Sequence, residues 1–426
     1  MAIALDTSTD GGKSTAVTSK TYSHTNGSGS DRYLVVAIGY EGDEDDITGV
    51  TYGGVAMQRI GSISGQTMLL YLYGLPAPAT GANDIVITSS VSGNIISYSV
   101  SYTGVHQTVP VDNRISKSNS GISSGSWNGA TLLTRIAETW GILLCDKTAG
   151  GTMSAGGGST ERQDGDGMGL FDSNGSLGAV ASEDMNAYAS DGTQNWTHLM
   201  INIVPADAVI PTDQILVHNM TNGNNADFTH VFPTGLSNTA LVVFVGTHQG
   251  NITGITYGGQ AMTKIAEGSS AYDEDGSLWI LLNPPTGSNT VDLSRSGGSW
   301  HGASALSLSN VKQTTTITNV SEGGSESTPD INITPAVNRC LILTALGAEA
   351  YTYTDDPQVG IAGIYGQSYE CMSASMYQQE TAGVFNSQTY LSSGQRYGLA
   401  VMALEPAGAV YIPRHPIANH SNPAFM

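Results

Sequence analysis

The sequence predicts an all-β protein: two tandem, jelly-roll-like antiparallel β-sandwiches followed by an extended C-terminal arm. Three observations predict it. A twelve-residue phrase, VTYGGVAMQRIG from Val50, returns as ITYGGQAMTKIA from Ile255. Short apolar runs with β-branched or aromatic content are separated by turn residues at spacings of about 10 to 15 positions, the rhythm of a sandwich. No segment holds a 3.6-residue apolar period between caps, so helices should be few and short.

The duplication is the first element to justify. Thr51-Tyr52-Gly53-Gly54 matches Thr256-Tyr257-Gly258-Gly259, 205 residues later. Upstream, YLVVAIGY from Tyr33 faces ALVVFVGT from Ala240. Downstream, LPAPATGANDIVI from Leu75 faces LNPPTGSNTVDL from Leu282, and SYTGVHQT from Ser101 faces SLSNVKQT from Ser307. HLMINIVPADA from His198 faces GLAVMALEPAGA from Gly398 near the two ends. One ancestral domain has been copied once, which places the copies at 1–207 and 213–408. The join at 208–212 lies in PADAVIPTDQ, short and with two prolines, so it should hold the copies close. Each copy is expected to carry about eight to ten strands in two sheets packed face to face.

The repeated phrase reads as a β-hairpin. Val50, Thr51 and Tyr52 alternate with the period of a strand. Gly53-Gly54 supplies a tight turn, because glycine takes positive φ without steric cost. VAMQRI and QAMTKI then alternate as the return strand. A phosphate cradle is the competing reading of a glycine pair, but no helix start with Lys-Ser or Lys-Thr follows. The other strands lie in RYLVVAIGY, TMLLYLYGL, NDIVITSS, IISYSVSYTGV, TWGILLC, LWILL and CLILTAL.

Composition bounds the function. Hydrophobic residues are 39% of the 426 and charged residues 12%, too apolar for disorder. The net charge of −21, with 15 Lys plus Arg, should repel nucleic acid and anionic membranes. No run of 18 apolar residues is present. The N-terminal MAIALDTSTDGGKST has neither a basic start nor an apolar core, so it does not read as a signal peptide. Three cysteines without close spacing spell neither a disulfide framework nor a zinc knuckle. Cys145 and Cys340 lie in apolar runs and should be buried thiols.

Candidate sites are few. Asp43, Glu44, Asp45 and Asp46 form one acidic cluster, and Asp273, Glu274 and Asp275 another. Hard cations take several carboxylate oxygens, so these are the Ca²⁺ candidates, though neither has EF-hand spacing. Each cluster is missing from the other copy, which reads as a solvated loop insertion. The nine histidines include no HExxH or HxH spacing, and no G-x-S-x-G elbow occurs. No catalytic residue is assigned and the chain is not read as an enzyme. Trp127 in GSWNG and Trp300 in GSWHG sit in Gly/Ser contexts suited to loops, where aromatics can stack on sugars. They are 173 residues apart, so they are not equivalent positions of the repeat.

The set TYGGVAM, LPAPATG or LNPPTG, and SYTGVHQTVPVD resembles the repeated sandwich domain of many uncharacterised bacteriophage virion proteins and some bacterial surface proteins. The first copy keeps SYTGVHQTVPVD but has LPAPATG at the proline turn. The second keeps LNPPTGSNTV and degrades the last element to LSNVKQTTTI. The resemblance spans nearly the whole chain and implies a framework rather than a chemistry.

The tail AVYIPRHPIANHSNPAFM, residues 409–426, has three prolines and little alternation, which fits an extended arm. Val410, Tyr411, Ile412, Pro413, Ile417, Phe425 and Met426 give it an apolar surface that a docked arm would bury. These readings lead to a virion structural protein, a capsid decoration protein or a head or tail fibre component. It would be made in the host cytoplasm and released by lysis. Its partners would be other virion subunits or copies of itself, with neither nucleic acid nor membrane bound directly. The alternatives are an adhesin for host-surface glycans and an extracellular filament subunit that polymerises by arm or strand exchange.

Overall fold

The computed structural model describes residues 2–42, 45–64, 68–122, 127–134, 136–148, 151–178, 182–190, 194–210, 215–224, 227–270, 274–314, 317–326, 329–348, 353–355, 359–365, 371–379, 382–391 and 395–408. Among the described residues it is all-β, with no helix and antiparallel sheets throughout.

Three sheets come from the first half of the chain. In the seven-stranded sheet, Ala4–Asn26 pairs with Gly81–Thr103, whose other edge carries Ile47–Tyr52 and Tyr33–Glu41 end to end. Val55–Ala56 pairs with Ile47–Tyr52, Leu69–Pro76 with Tyr33–Glu41, and Gln58–Ser64 forms the last edge. A five-stranded sheet runs Thr160–Gly165, Met168–Asp172, Trp140–Lys147, Gln194–Ile203, Val111–Ile122. A three-stranded sheet runs Ser154–Ala155, Ser182–Tyr188, Trp127–Leu133.

The second half repeats this order. Leu216–Asn224 and Phe228–Phe232 flank Gly287–Ser309, then come Ala240–Tyr257, then Gln260–Ala261 and Asp275–Leu282, then Thr263–Ser269. The five-stranded order is Val359–Tyr365, Cys371–Gln379, Cys340–Ala348, Gln395–Leu404, Thr318–Glu326. The three-stranded order is Tyr353–Asp355, Phe385–Leu391, Asp330–Ile333. The copies differ where one interrupts a strand. Ala240–Tyr257 is continuous, whereas its counterpart breaks between Glu41 and Ile47, at the acidic cluster.

The core lies between the seven- and five-stranded sheets. Val35, Leu70 and Val100 meet Ile142, Leu170 and Ile201 in the first copy. Val242, Leu278 and Leu306 meet Leu343, Ala400 and Met402 in the second. Each of the Val, Leu, Ile and Met side chains removed from water stabilises by about 1.5–3 kcal/mol. The three-stranded sheet covers the far side of the five-stranded one, packing Leu132 and Met185 on Leu143, Phe171 and Trp196. The far side of the seven-stranded sheet is buried too, through Leu34, Val36, Tyr71 and Ile85. Burial on both faces explains why Tyr33–Tyr40 is an unbroken apolar run without alternation. Cys145 and Cys340 are buried thiols, as their apolar contexts predicted.

The hairpin turns are as the sequence predicts. Gly53 and Gly54 have φ of 54° and 79°, and Gly258 and Gly259 have 56° and 78°. Two successive positive φ values make a type I′ turn, whose twist matches the flanking strands. The return strands are a correction. Val55–Ala56 pairs with Tyr52 and Thr51, and the chain then steps at Met57 to a different neighbour, Leu69–Pro76. The Met57 amide closes the step on the Val50 carbonyl at 2.9 Å, and Met262 does the same on Ile255 at 2.8 Å. The sheet count is a second correction: among the described residues each half has three sheets, and the fifteen strands assigned there exceed the expected eight to ten.

Candidate functional site

The region where the two copies meet is built from four sheet edges. Gln58–Ser64 and Val111–Ile122 of the first copy lie against Leu216–Asn224 and Val359–Tyr365 of the second. Arg114, on the 111–122 strand, is 2% exposed. Its Nη1 donates to the Ile60 carbonyl at 2.9 Å and its Nη2 to the Val217 carbonyl at 3.0 Å, so one guanidinium ties the copies together. His218 lies beside it, with Nε2 2.7 Å from the Ser309 hydroxyl. Burial lowers the His218 pKa to about 3, and the nearby Arg114 charge pushes the same way. The imidazole is therefore neutral at ordinary pH.

Above this join is a cleft of about 390 Å³. Ile60, Pro76, Val109, Pro110 and Val111 form one wall, and Val217, His218, Val231, Phe232, Pro233 and Leu236 the other. The walls are mostly apolar, with rigid prolines on both sides. Gln107 also lines the cleft, its Nε2 donating to the carbonyls of Val105 at 2.7 Å and Arg32 at 3.1 Å.

Deeper in each copy, one polar network occurs twice. The Tyr52 hydroxyl donates to the His24 carbonyl at 3.2 Å and lies 3.0 Å from the Gly81 carbonyl. The Tyr257 hydroxyl reaches the His230 carbonyl at 3.1 Å and the Gly287 carbonyl at 3.2 Å. Asn83 and Asn289 donate their amides to the two phenols at 3.3 and 3.4 Å. Each histidine also stands edge-on to its tyrosine, at 6.4 and 6.1 Å between ring centres. His24 Nδ1 is 2.9 Å from the Thr9 hydroxyl and His230 Nδ1 3.0 Å from that of Thr221. Burial lowers the His24 pKa to about 4 against an opposing pull from Asp6, and that of His230 to about 3. Gln313 repeats Gln107, donating to Val311 at 2.9 Å and Thr239 at 3.2 Å. These groups lock loops and strand ends onto the sheets.

The acidic candidates separate. Asp43, Glu44 and Asp273 lie outside the described residues. Asp45 and Glu274 are not solvated. Asp45 is paired with Arg59 at 2.6 Å, their side chains 6% and 7% exposed. Asp46 accepts from the Ser90 hydroxyl at 2.7 Å. Glu274 is fully buried, accepting from the Ser270 hydroxyl through one oxygen and lying 3.2 Å from His248 Nδ1 through the other. Asp275 opens a strand, opposite Thr247 and Ser269. Burial of these carboxylates came with partners, as it must. Among the described residues, no group of three His, Cys, Asp or Glu side chains is placed to hold a metal ion.

Trp127 and Trp300 are in strands rather than loops. Trp127 faces Tyr188 in the three-stranded sheet, and Trp300 faces His248 within Gly287–Ser309. The structure does not bring them together in one sheet. The arm candidates Val410, Tyr411, Ile412, Pro413, Ile417, Phe425 and Met426 lie outside the described residues.

Sequence reasoning missed His24, Arg59 and Arg114. A faint signal for His24 was present: Tyr22-Ser23-His24 and Phe228-Thr229-His230 each put histidine two places after an aromatic residue. Nothing in the repeat marks Arg59 or Arg114, because the second copy has Lys264 and Asn319 in their places. No protein-family model matches the chain, and no curated protein matches it.

Proposed function

We propose that the protein is a structural component of a bacteriophage virion, a capsid decoration protein or part of a head or tail fibre, acting by assembly and surface display. One observation carries this reading. The polar side chains that both copies keep, His24/His230, Tyr52/Tyr257, Asn83/Asn289 and Gln107/Gln313, are turned onto main-chain groups or the interior. What the duplication preserved is a scaffold, and a scaffold is what a particle component contributes. The resemblance of the TYGG and SYTGV elements to virion sandwich domains supports the same reading. So does a net charge of −21, which suits an outer surface better than a DNA-facing wall.

The test is to raise an antibody against the chain and apply it to particles banded from the producing culture. The reading expects the chain in the particle band at a fixed copy number, with gold label at one location. Recovery of the chain only in the soluble fraction overturns it.

A further inference from the structure

Under the three-stranded sheet of the first copy lies a pocket with two sulfurs and an imidazole. Cys145 sits mid-sheet in the five-stranded layer, opposite Gly169 on one side and His198 on the other. Directly opposed residues point to the same face, with Cα atoms about 4.5–5.5 Å apart. The Cys145 thiol and the His198 imidazole therefore share one face, and both are fully buried. Gly169 leaves room beside them that Met153 takes, since a Cβ there would come within 3.3 Å of Met153 Sδ. Cys145 Sγ and Met153 Sδ are 3.6 Å apart. The Trp196 ring stacks on His198, with centres 5.9 Å apart and planes 9° from parallel. Leu132, Leu143, Phe171, Met185 and Met200 complete the walls.

The second copy lacks this chemistry at the same place. The bridges Val105–Pro205 and Val311–Pro406 are equivalent, and counting back from them sets His198 against Leu399. Across the ladder Cys145 then corresponds to Leu346, and Leu346 faces Leu399 as Cys145 faces His198. Trp196 keeps an aromatic counterpart, Tyr397, in the same apolar cluster as the two leucines. One copy thus has a leucine pair where the other has a thiol facing an imidazole. Burying polar groups costs stability that leucines would not. The fold does not require the exchange, because the second copy is built without it.

We propose that Cys145, Met153 and His198 form a binding site for a soft monovalent metal ion, Cu(I). Thiolate and thioether are the donors that select Cu(I), and imidazole suits copper as well. Metal–sulfur bonds of about 2.3 Å hold two sulfurs about 4 Å apart around a trigonal ion. The observed sulfur pair is already close to that spacing. Zinc takes four ligands from cysteine, histidine and carboxylates. Among the described residues no three such side chains converge. On binding, the Cys145 S–H bond is replaced by S–Cu and the proton leaves to solvent. One thiolate with one monovalent cation is neutral, which an apolar pocket tolerates. Met153 is the point of entry, being 4% exposed between the exposed residues Thr152 and Ser154. The proposal concerns the isolated chain and does not depend on whether that chain is carried on a virion.

Anaerobic titration of the full chain with Cu(I), in competition with a colorimetric Cu(I) chelator, tests it. The parent for all variants carries Cys340→Ala and Cys371→Ala, so that Cys145 is its remaining thiol. The expected result is a single Cu(I) per chain, lost in Cys145→Ala and weakened at least about tenfold in Met153→Leu and in His198→Leu. His198→Leu takes the side chain the second copy uses at that place, so the fold should accept it, and circular dichroism checks each variant. X-ray absorption of the loaded parent should fit two sulfurs and one nitrogen around copper. A parent that binds no Cu(I), a folded Cys145→Ala variant that binds like the parent, unchanged affinity in either leucine variant, or a copper shell without the sulfur pair overturns the proposal.

Discussion

Tyr52 donates its phenol to the main-chain carbonyl of His24 at 3.2 Å, from the hairpin strand to the far end of the long first strand. Tyr257 and His230 repeat the bond at 3.1 Å. A buried hydrogen bond of this type contributes about 1 kcal/mol, and an acceptor left without its donor costs somewhat more. Tyr52→Phe and Tyr257→Phe should each lower stability by about 1–2 kcal/mol. Since the sites lie in different copies, the double variant should show the sum. Urea unfolding of the three variants measures this.

Asp45 and Arg59 form the second test. The guanidinium also lies 4.9 Å from the Tyr71 ring centre and 5.6 Å from that of Tyr73, and donates to the Ile47 carbonyl at 2.9 Å. Burial opposes its charge, yet Asp45 and the tyrosines outweigh this and raise the Arg59 pKa. Removing one partner strands the other charge in the interior, so Asp45→Ala should cost about 3–5 kcal/mol. Asp45→Asn with Arg59→Met should recover part of the loss. Chemical denaturation of the single and double variants distinguishes this from a surface pair, which would cost under about 1 kcal/mol.

Acid should weaken the fold through its histidines. His24, His218 and His230 have pKa values held near 4, 3 and 3 by burial, well below the ordinary 6.5. Below about pH 6.5 the unfolded chain takes up protons that the folded chain refuses until about pH 4 or lower. Their contribution is thus complete above the unfolded value and is lost as pH falls toward the folded one. Each group adds a slope of about 1.4 kcal/mol per pH unit in that window. His230→Gln should reduce the slope by one such increment, read from urea midpoints across the window. An unchanged slope contradicts the burial of a neutral imidazole.

The hairpin glycines give a separable prediction. A Cβ on Gly259 would meet nothing within 4 Å, so the position is constrained only by its φ of 78°. Gly259→Ala should cost about 1–2 kcal/mol, the penalty of a left-handed L-residue. Gly259→Asn should cost less, because asparagine tolerates that region. Equal losses would point to a steric cause instead.

Much of this fold was legible because its signals are local. The TYGG turn, the run of eight at Tyr33 and the Cys145 strand each follow from a few adjacent residues. The long strands were not. Ala4–Asn26 is rich in Asp, Thr, Ser and Gly, and its pairing with Gly81–Thr103 is interrupted by several register shifts. NDIVITSS and IISYSVSYTGV read as two strands, but one strand, Gly81–Thr103, runs through both, with Gly93 set against the Tyr40 ring. The burial of Asp45 was hidden for a different reason. Local charge marks a loop, whereas the arginine that buries Asp45 is fourteen residues away and absent from the other copy.

Hydrogen exchange of the intact chain, resolved by peptide, tests the central claim that one framework was built twice. The account predicts that the slowest amides fall in matching strands: 33–41 with 240–247, 98–102 with 304–308, 140–145 with 341–346, and 199–203 with 400–404. Protection confined to one half, or slow sets in strands that do not correspond, would contradict it.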